Sequence, residues 1–460
     1  MEIVTPNVTN FIASIRDIGY SLEIAIADII DNSIAASSTF IKISFLSKPY
    51  LKIEILDDGI GMNKYELIEA MRLGSKNPNQ KREEFDLGRF GLGLKTASFS
   101  QCKKLTVFTK KDKIISNRQW DLNYLEKTNE WYLKTLSKHE IDKTNYIYYE
   151  ELENLNSGTL IVWEEIDKFL NEDVANEIDI LKKHLSLTFH KFIEKRKIQI
   201  YINDVDIKAF NPFNPSHTAT QQLKKEIIKT ESGKSITVIP YILPHHSKVT
   251  ETEYNKYEMQ DGYVKNQGFY LYRANRLLIS GTWFGLKKFS DAHKLIRIEI
   301  DIDNSTDLDW GIDVKKSLAK PSLVIREQLK RIIKEISPKG SRMYTGRGKK
   351  IEDKSIERFW DLVPIGSEKL SFKLNLENKI YKSLIEDLDE EKQEFLKMYL
   401  KYIEEYIPLN AILANLQQNP HKISQKMEKT EEELKKIKEK LLAIGLDEEY
   451  ISKLEIFRER

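Results

Sequence analysis

One seven-residue run, Ala27-Asp28-Ile29-Ile30-Asp31-Asn32-Ser33, constrains this chain more than any bulk property. Residues 9–37 read as helical, with Ile24, Ile26, Ile29 and Ile30 set among small and polar residues. On a helix Asp28 and Asn32 stand four apart and Asp31 lies three from Asp28, so the three polar groups share one face. Two carboxylates and an amide amid isoleucines are costly to bury without a partner. Either the face is a solvated stripe or it is kept for a ligand. An amide oxygen such as that of Asn32 can hold Mg2+, and a carboxylate such as Asp28 can orient or deprotonate a water beside it.

Three further patches follow. Asp57-Asp58-Gly59-Ile60-Gly61-Met62 closes the strand-like run Leu51–Leu56. Its two glycines let backbone approach a flat ligand, and a buried carboxylate accepts a hydrogen bond from an exocyclic amine. An ordinary Asp-Gly turn reads the same way in isolation. Gly88-Arg89-Phe90-Gly91-Leu92-Gly93-Leu94-Lys95-Thr96 opens a helix, and bare amides at a helix amino terminus attract phosphate. The spacing is neither that of a Walker loop nor that of a dinucleotide fingerprint. Last, Ser157-Gly158-Thr159 starts the apolar strand Leu160–Trp163, where a threonine hydroxyl can steady a carboxylate.

Together and in this order, over residues 10–165, these patches resemble the GHKL superfamily: gyrase-type topoisomerases, histidine kinases, ninety-kilodalton heat-shock chaperones and MutL-like proteins, with MORC ATPases as relatives. The resemblance implies an α+β chain whose first part is a Bergerat-fold ATPase, helices layered on a mixed sheet, with ATP and Mg2+ as cofactors. Asn32 would be the Mg2+ ligand and Asp28 the general base. Asp57 would receive the adenine amino group, with Gly59, Gly61 and Met62 beside the base and Thr159 steadying Asp57 through a water. Gly88, Arg89, Phe90, Gly91, Leu92, Gly93, Leu94, Lys95 and Thr96 would grip the phosphates, under a lid formed by residues 74–87. Most of these families carry glutamate where this chain has Asp28. Aspartate retracts the carboxylate by ~1.5 Å, and such displacements slow turnover. Asp31 reads as support for the fold.

Downstream of the first domain, Asp309-Trp310-Gly311-Ile312-Asp313-Val314-Lys315-Lys316-Ser317 precedes a helix, where related ATPases send a lysine from a transducer domain to the terminal phosphate. Lys316 is the first candidate for that role and Lys315 the second; two surface lysines fit the same pattern. Gln267 to Arg276 resembles the strand–turn–strand core of a transducer, with Arg273 and Arg276 capping the hairpin or reaching a nucleic acid backbone. The expected organisation is an ATP-binding domain over 1–170, a transducer-like α+β domain over 171–338, a linker over 339–356 and a charged helical region over 357–460.

Composition narrows the class. The 73 basic and 71 acidic side chains nearly cancel, which argues against coating nucleic acid through an overall field. A lone cysteine, Cys102, excludes an intrachain disulfide and suits a reducing cytosol. No apolar run approaches the ~18 residues that span a membrane, so a soluble cytoplasmic protein without membrane contact is expected. No histidine precedes the Asp28–Asn32 patch to serve as a phosphoacceptor, which disfavours a histidine kinase. The whole-chain pattern resembles stand-alone prokaryotic MORC-like or chaperone-like ATPases, often found with restriction or anti-phage systems. The leading expectation is an ATP-gated homodimeric clamp on DNA, slow in hydrolysis, with an effector nuclease or other defence protein as partner; the chain shows no nuclease motif of its own. A chaperone-like remodeller and a nucleotide-sensing scaffold with negligible turnover are the alternatives. A phosphate-binding clamp must lose affinity steeply as salt rises, and a protein remodeller need not.

Overall fold

The computed structural model describes residues 7–17, 19–74, 93–168, 173–195, 197–231, 233–312, 319–345, 357–365, 369–418 and 429–458. The chain divides into two units, residues 1–243 with 259–335, and residues 244–258 with 336–460. In the first unit the expected helix over 9–37 is two helices, α1 (Val8–Arg16) and α2 (Leu22–Ala35), with Gly19 at φ +75° between them. A hairpin follows, β1 (Phe40–Leu46) and β2 (Lys52–Asp57), then α3 (Lys64–Met71) and α4 (Gly93–Gln101). Asn63 caps α3 in a reciprocal box with Glu66, satisfying the backbone amides of Asn63, Tyr65 and Glu66.

After α4 come β3 (Cys102–Lys111) and β4 (Ile114–Asp121), then three short helices before β5 (Gly158–Ile166). These are α5 (Leu122–Thr128), α6 (Lys138–Thr144) and α7 (Tyr149–Asn154). Side chains cap two of them: Asp121 caps α5, and Ser137 with Glu140 boxes α6. Next come α8 (Val174–Thr188), α9 (His190–Glu194), β6 (Gln199–Ile202) and β7 (Val205–Asp206).

The first sheet runs β4-β3-β5-β2-β1-β6-β7, mixed because β6 lies parallel to β1 while its other pairings are antiparallel. It therefore extends past the 170/171 boundary expected from sequence, and Ile200 and Ile202 of β6 enter its core. Both faces are covered. Ile53, Ile55, Leu105, Val107 and Trp163 pack under α1, α2, α4 and α8, whereas Leu56, Phe108, Leu160 and Val162 pack under Ile141 and Leu152 of α6 and α7. All six residues of β2 are buried, which makes it a central, two-sided strand.

A second sheet completes the unit, built from β8 (Gln221–Gln222), β9 (Glu226–Lys229) and β10 (Ser235–Ile242) and from three later strands. Past α10 (Glu251–Glu258), which belongs to the other unit, come α11 (Gly262–Lys265), β11 (Gly268–Arg273), β12 (Arg276–Thr282), β13 (Ile296–Ile302), α12 (Asp307–Trp310) and α13 (Leu323–Thr345). The order is β12-β11-β13-β10-β8, with β9 also on β10. Phe213, Tyr241, Tyr270 and Tyr272 form an aromatic core against it. The expected linker over 339–356 is helical as far as Thr345; residues 346–356 lie outside the described residues.

The second unit pairs β14 (Trp360–Ile365) with β15 (Lys369–Leu374) and adds α14 (Lys379–Glu386), α15 (Glu390–Glu405), α16 (Leu409–Gln418), α17 (Glu431–Ala443), α18 (Glu448–Lys453) and α19 (Glu455–Arg458). Leu446, Tyr450, Ile451 and Leu454 make its small core. The architecture is α+β. Among the described residues no helix is long and apolar enough to cross a membrane.

Candidate functional site

Two of the sequence patches meet where β2 ends. Asp57 is its last residue, and the register sets it opposite Thr159 on β5. Its carboxylate accepts hydrogen bonds from Ser33 Oγ at 2.8 Å and from the Gly59 amide at 2.9 Å. Burial raises the Asp57 carboxyl above its ordinary value, and the Gly59 and Ser33 donors oppose that rise. A desolvated carboxylate with lone pairs to spare suits an external N–H donor. Asp58 does different work: its carboxylate accepts from the Thr39 and Phe40 amides and secures the start of β1.

The turn after Asp57 is fixed by steric limits. Gly61 sits at φ +64°, and a Cβ there would lie 1.9 Å from the Lys110 carbonyl oxygen. The same loop is tied down through Thr109, whose hydroxyl accepts from the Met62 amide at 2.8 Å, donates to the Gly158 carbonyl at 3.1 Å and lies 3.3 Å from Thr159 Oγ1. Met62 is half-buried against the main core.

On α2 the shared polar face divides by depth. Asn32 is exposed, whereas Asp28 and Asp31 are only 4% and 1% exposed. Tyr20 Oη donates to Asp28 Oδ2 at 3.2 Å. The guanidinium of Arg276, from the start of β12, donates through Nε to Asp31 Oδ1 at 2.9 Å, and its Nη2 lies 3.7 Å from Asp28 Oδ1. A buried guanidinium beside two buried carboxylates offsets a desolvation cost that either sign would carry alone. On α8, burial and the neighbouring Arg276 charge push the His184 imidazole down to about 4. Arg273 is likewise buried and grips Asp307 with two bonds, at 2.7 and 2.9 Å. Neither arginine faces solvent, which removes both from the candidate nucleic acid contacts.

Helix α4 brings Gly93, Leu94, Lys95 and Thr96, the described part of the third sequence patch, to the same place. A Cβ on Gly93, its first residue, would stand 4.0 Å from Asp28 Oδ2. Leu94 packs on the core, and Thr96 is buried with its hydroxyl 3.5 Å from the Gly93 carbonyl. Lys95 is buried too, and its ammonium donates to the Ala70 carbonyl at the end of α3, 2.9 Å away. Gly88, Arg89, Phe90, Gly91 and Leu92, residues 75–87 of the expected lid, and both Lys315 and Lys316 lie outside the described residues.

Sequence reasoning missed Ser33, Thr109 and Arg276 as members of this site. Ser33 stands beside Asn32 and was within reach of the helical-face argument. Thr109 and Arg276 join through sheet register and tertiary packing, for which one sequence carries no signal.

The family described as histidine kinase-, DNA gyrase B-, and HSP90-like ATPase matches residues 20–159. ATPase morc-1 of Caenorhabditis elegans is 35% identical over 95 residues, 20% of this chain and 10% of that protein. ATPase MORC2B of Mus musculus is 33% identical over 96 residues, 20% of this chain and 9% of its own. The chain thus spans about a tenth of the curated relatives it matches. The solved ATPase and transducer domains of DNA topoisomerase II from Balamuthia mandrillaris align over 71% of this chain and 86% of that one, at 13% identity and a TM-score of 0.41. The segment that carries Asp28, Asn32, Asp57 and Thr159 belongs to the histidine kinase-, DNA gyrase B- and HSP90-like ATPases, the GHKL superfamily, with MORC ATPases among its relatives by sequence.

Proposed function

We propose that this protein binds ATP with Mg2+, hydrolyses it slowly, and uses the cycle as an ATP-gated dimeric clamp on DNA. The observation that carries the nucleotide reading is Asp57, a buried carboxylate at a strand end, held by Ser33 and Gly59 and backed by Thr159. Its remaining lone pairs match an adenine amino group, and Gly59, Gly61 and Met62 supply the narrow walls a flat ring needs.

The residues fit the remaining parts of such a ligand. Asn32 exposes an amide oxygen on the same helix face, a hard donor of the kind Mg2+ takes alongside phosphate oxygens. Mg2+ when bound would neutralise charge on the phosphates. Gly93 and Thr96 at the start of α4, with Gly88, Arg89, Phe90, Gly91, Leu92, Leu94 and Lys95, are the proposed phosphate grip. Lys95 would leave the Ala70 carbonyl to take part. Asp28 Oδ2, beside Gly93, would orient a water and accept its proton. The short reach of aspartate sets the slow rate. Lys316, or Lys315, from a transducer-like second domain would report the terminal phosphate and so tie closure to ATP.

The proposed setting is prokaryotic anti-phage or restriction-type defence, with any cutting supplied by a partner. Replacing Asp28→Asn tests the core of this reading. Turnover should fall at least ~100-fold while ADP affinity stays within about threefold. Hydrolysis at the unsubstituted rate would remove Asp28 from the role of base.

A further inference from the structure

Arg276 has no part in the chemistry assigned above, yet it is buried against it. It begins β12 just after the turn residues Ala274 and Asn275, both at positive φ, so the hairpin delivers its side chain from a fixed backbone. Besides its ion pair with Asp28, the guanidinium donates through Nη1 to the Leu277 carbonyl at 3.2 Å and through Nε to Asp31 Oδ1 at 2.9 Å, and it lies 5.9 Å from the Phe189 ring. It is 4% exposed and 245 residues from Asp31 in sequence.

Its two carboxylate partners stand on successive turns of α2 and are held unequally. Asp31 takes the short, direct bond, whereas Asp28 Oδ1 lies 3.7 Å from Nη2. The two oxygens of Asp28 are thereby distinguished. Oδ1 faces the guanidinium; Oδ2 accepts from Tyr20 and lies beside Gly93, the first residue of α4. A base shorter than glutamate depends more on the direction in which its carboxylate is held.

We infer that Arg276 is a positioning residue for Asp28, anchored by Asp31, and that the second sheet thereby completes the hydrolytic site; this rests on the hydrolytic reading above. Arg276 touches neither water nor nucleotide in this role. It turns the Asp28 carboxylate so that Oδ2 faces the phosphate end of the pocket, and it makes the ATPase domain dependent on the β11–β12 hairpin for turnover but not for nucleotide binding.

The test uses the full chain with Arg276→Gln, Arg276→Lys, Asp28→Asn, the Arg276→Gln/Asp28→Asn double variant and the Arg276→Gln/Asp31→Asn double variant. The last removes both members of the buried pair and guards against a fold lost to one unpaired charge. Steady-state ATP hydrolysis and ADP calorimetry are the readouts. Arg276→Gln and Arg276→Gln/Asp31→Asn should lower kcat about 10- to 100-fold, with ADP affinity within about threefold. Arg276→Lys should recover part of that loss. Arg276→Gln should add nothing to Asp28→Asn, because it acts through that carboxylate. An unchanged kcat in both Arg276→Gln variants, or a double variant slower than Asp28→Asn by the full Arg276→Gln factor, overturns the assignment. If the unsubstituted protein shows no hydrolysis, the hydrolytic reading fails, and the Arg276 link is read from hydrogen exchange instead. ADP with Mg2+ should then slow exchange at the Arg276 and Leu277 amides in the unsubstituted chain and not in Asp31→Asn. Equal protection in both overturns it.

Discussion

Asp57 and His184 show how burial sets charge at this site. The Asp57 carboxyl is raised by desolvation, so its contribution to folding is fully present below about 3.8, the ordinary value, and is lost as pH rises through the folded value. At neutral pH it is a cost, which a ligand donating a hydrogen bond would offset. His184 runs the other way. Its folded value of about 4 lies below the ordinary 6.5, so the stability it lends is complete above pH 6.5 and declines as pH falls toward 4. The effect is on the order of 1–3 kcal/mol. His184→Gln should therefore flatten the loss of thermal stability between pH 6.5 and 4. An undiminished slope in melting temperature across that window would contradict the environment described for the ring. Asp57 and Thr159 were legible in sequence because each sits in a short motif at a strand end. Arg276 was not, since a partner 245 residues away leaves no local trace.

At the level of elements, the turn after β2 is fixed by steric limits and by hydrogen bonds. Gly61 combines a left-handed φ with a backbone carbonyl where a Cβ would go, and Thr109 bonds pin Met62 next to it. Gly61→Ala should destabilise the protein by about 2–4 kcal/mol. Urea unfolding checks this, and a midpoint equal to that of the unsubstituted chain would contradict it. Periodicity located α2 and β2 but not α5, α6 or α7. Asp121 caps α5 and Ser137 caps α6; Leu122 and Leu125 of α5 pack into the main core, and Ile141 of α6 and Leu152 of α7 pack on the opposite face of the sheet, so none of the three rests on a long amphipathic repeat. The break between α1 and α2 turns on Gly19, a single residue inside an otherwise continuous apolar pattern.

On the scale of the whole molecule, the first unit joins two sheets through buried ion pairs, and the boundary read from sequence at 170/171 falls inside the first sheet because β6 returns to pair with β1. Composition marks where charge and helix content rise, but strand pairing is decided by register across distant segments. For the proposed clamp, mass in solution is the appropriate observable. A non-hydrolysable ATP analogue with Mg2+ should shift the protein to twice the mass found with ADP, and one mass in both states would contradict ATP-gated dimerisation. Beneath that claim lies a simpler one, that adenine nucleotide binds against Asp57. Calorimetry of ATP in Mg2+ buffer tests it most directly, with Asp57→Asn as the matched control. Saturable binding is predicted for the unsubstituted chain, weakened about 10- to 100-fold in Asp57→Asn; no heat of binding from the folded protein, or equal affinity in both, would contradict it.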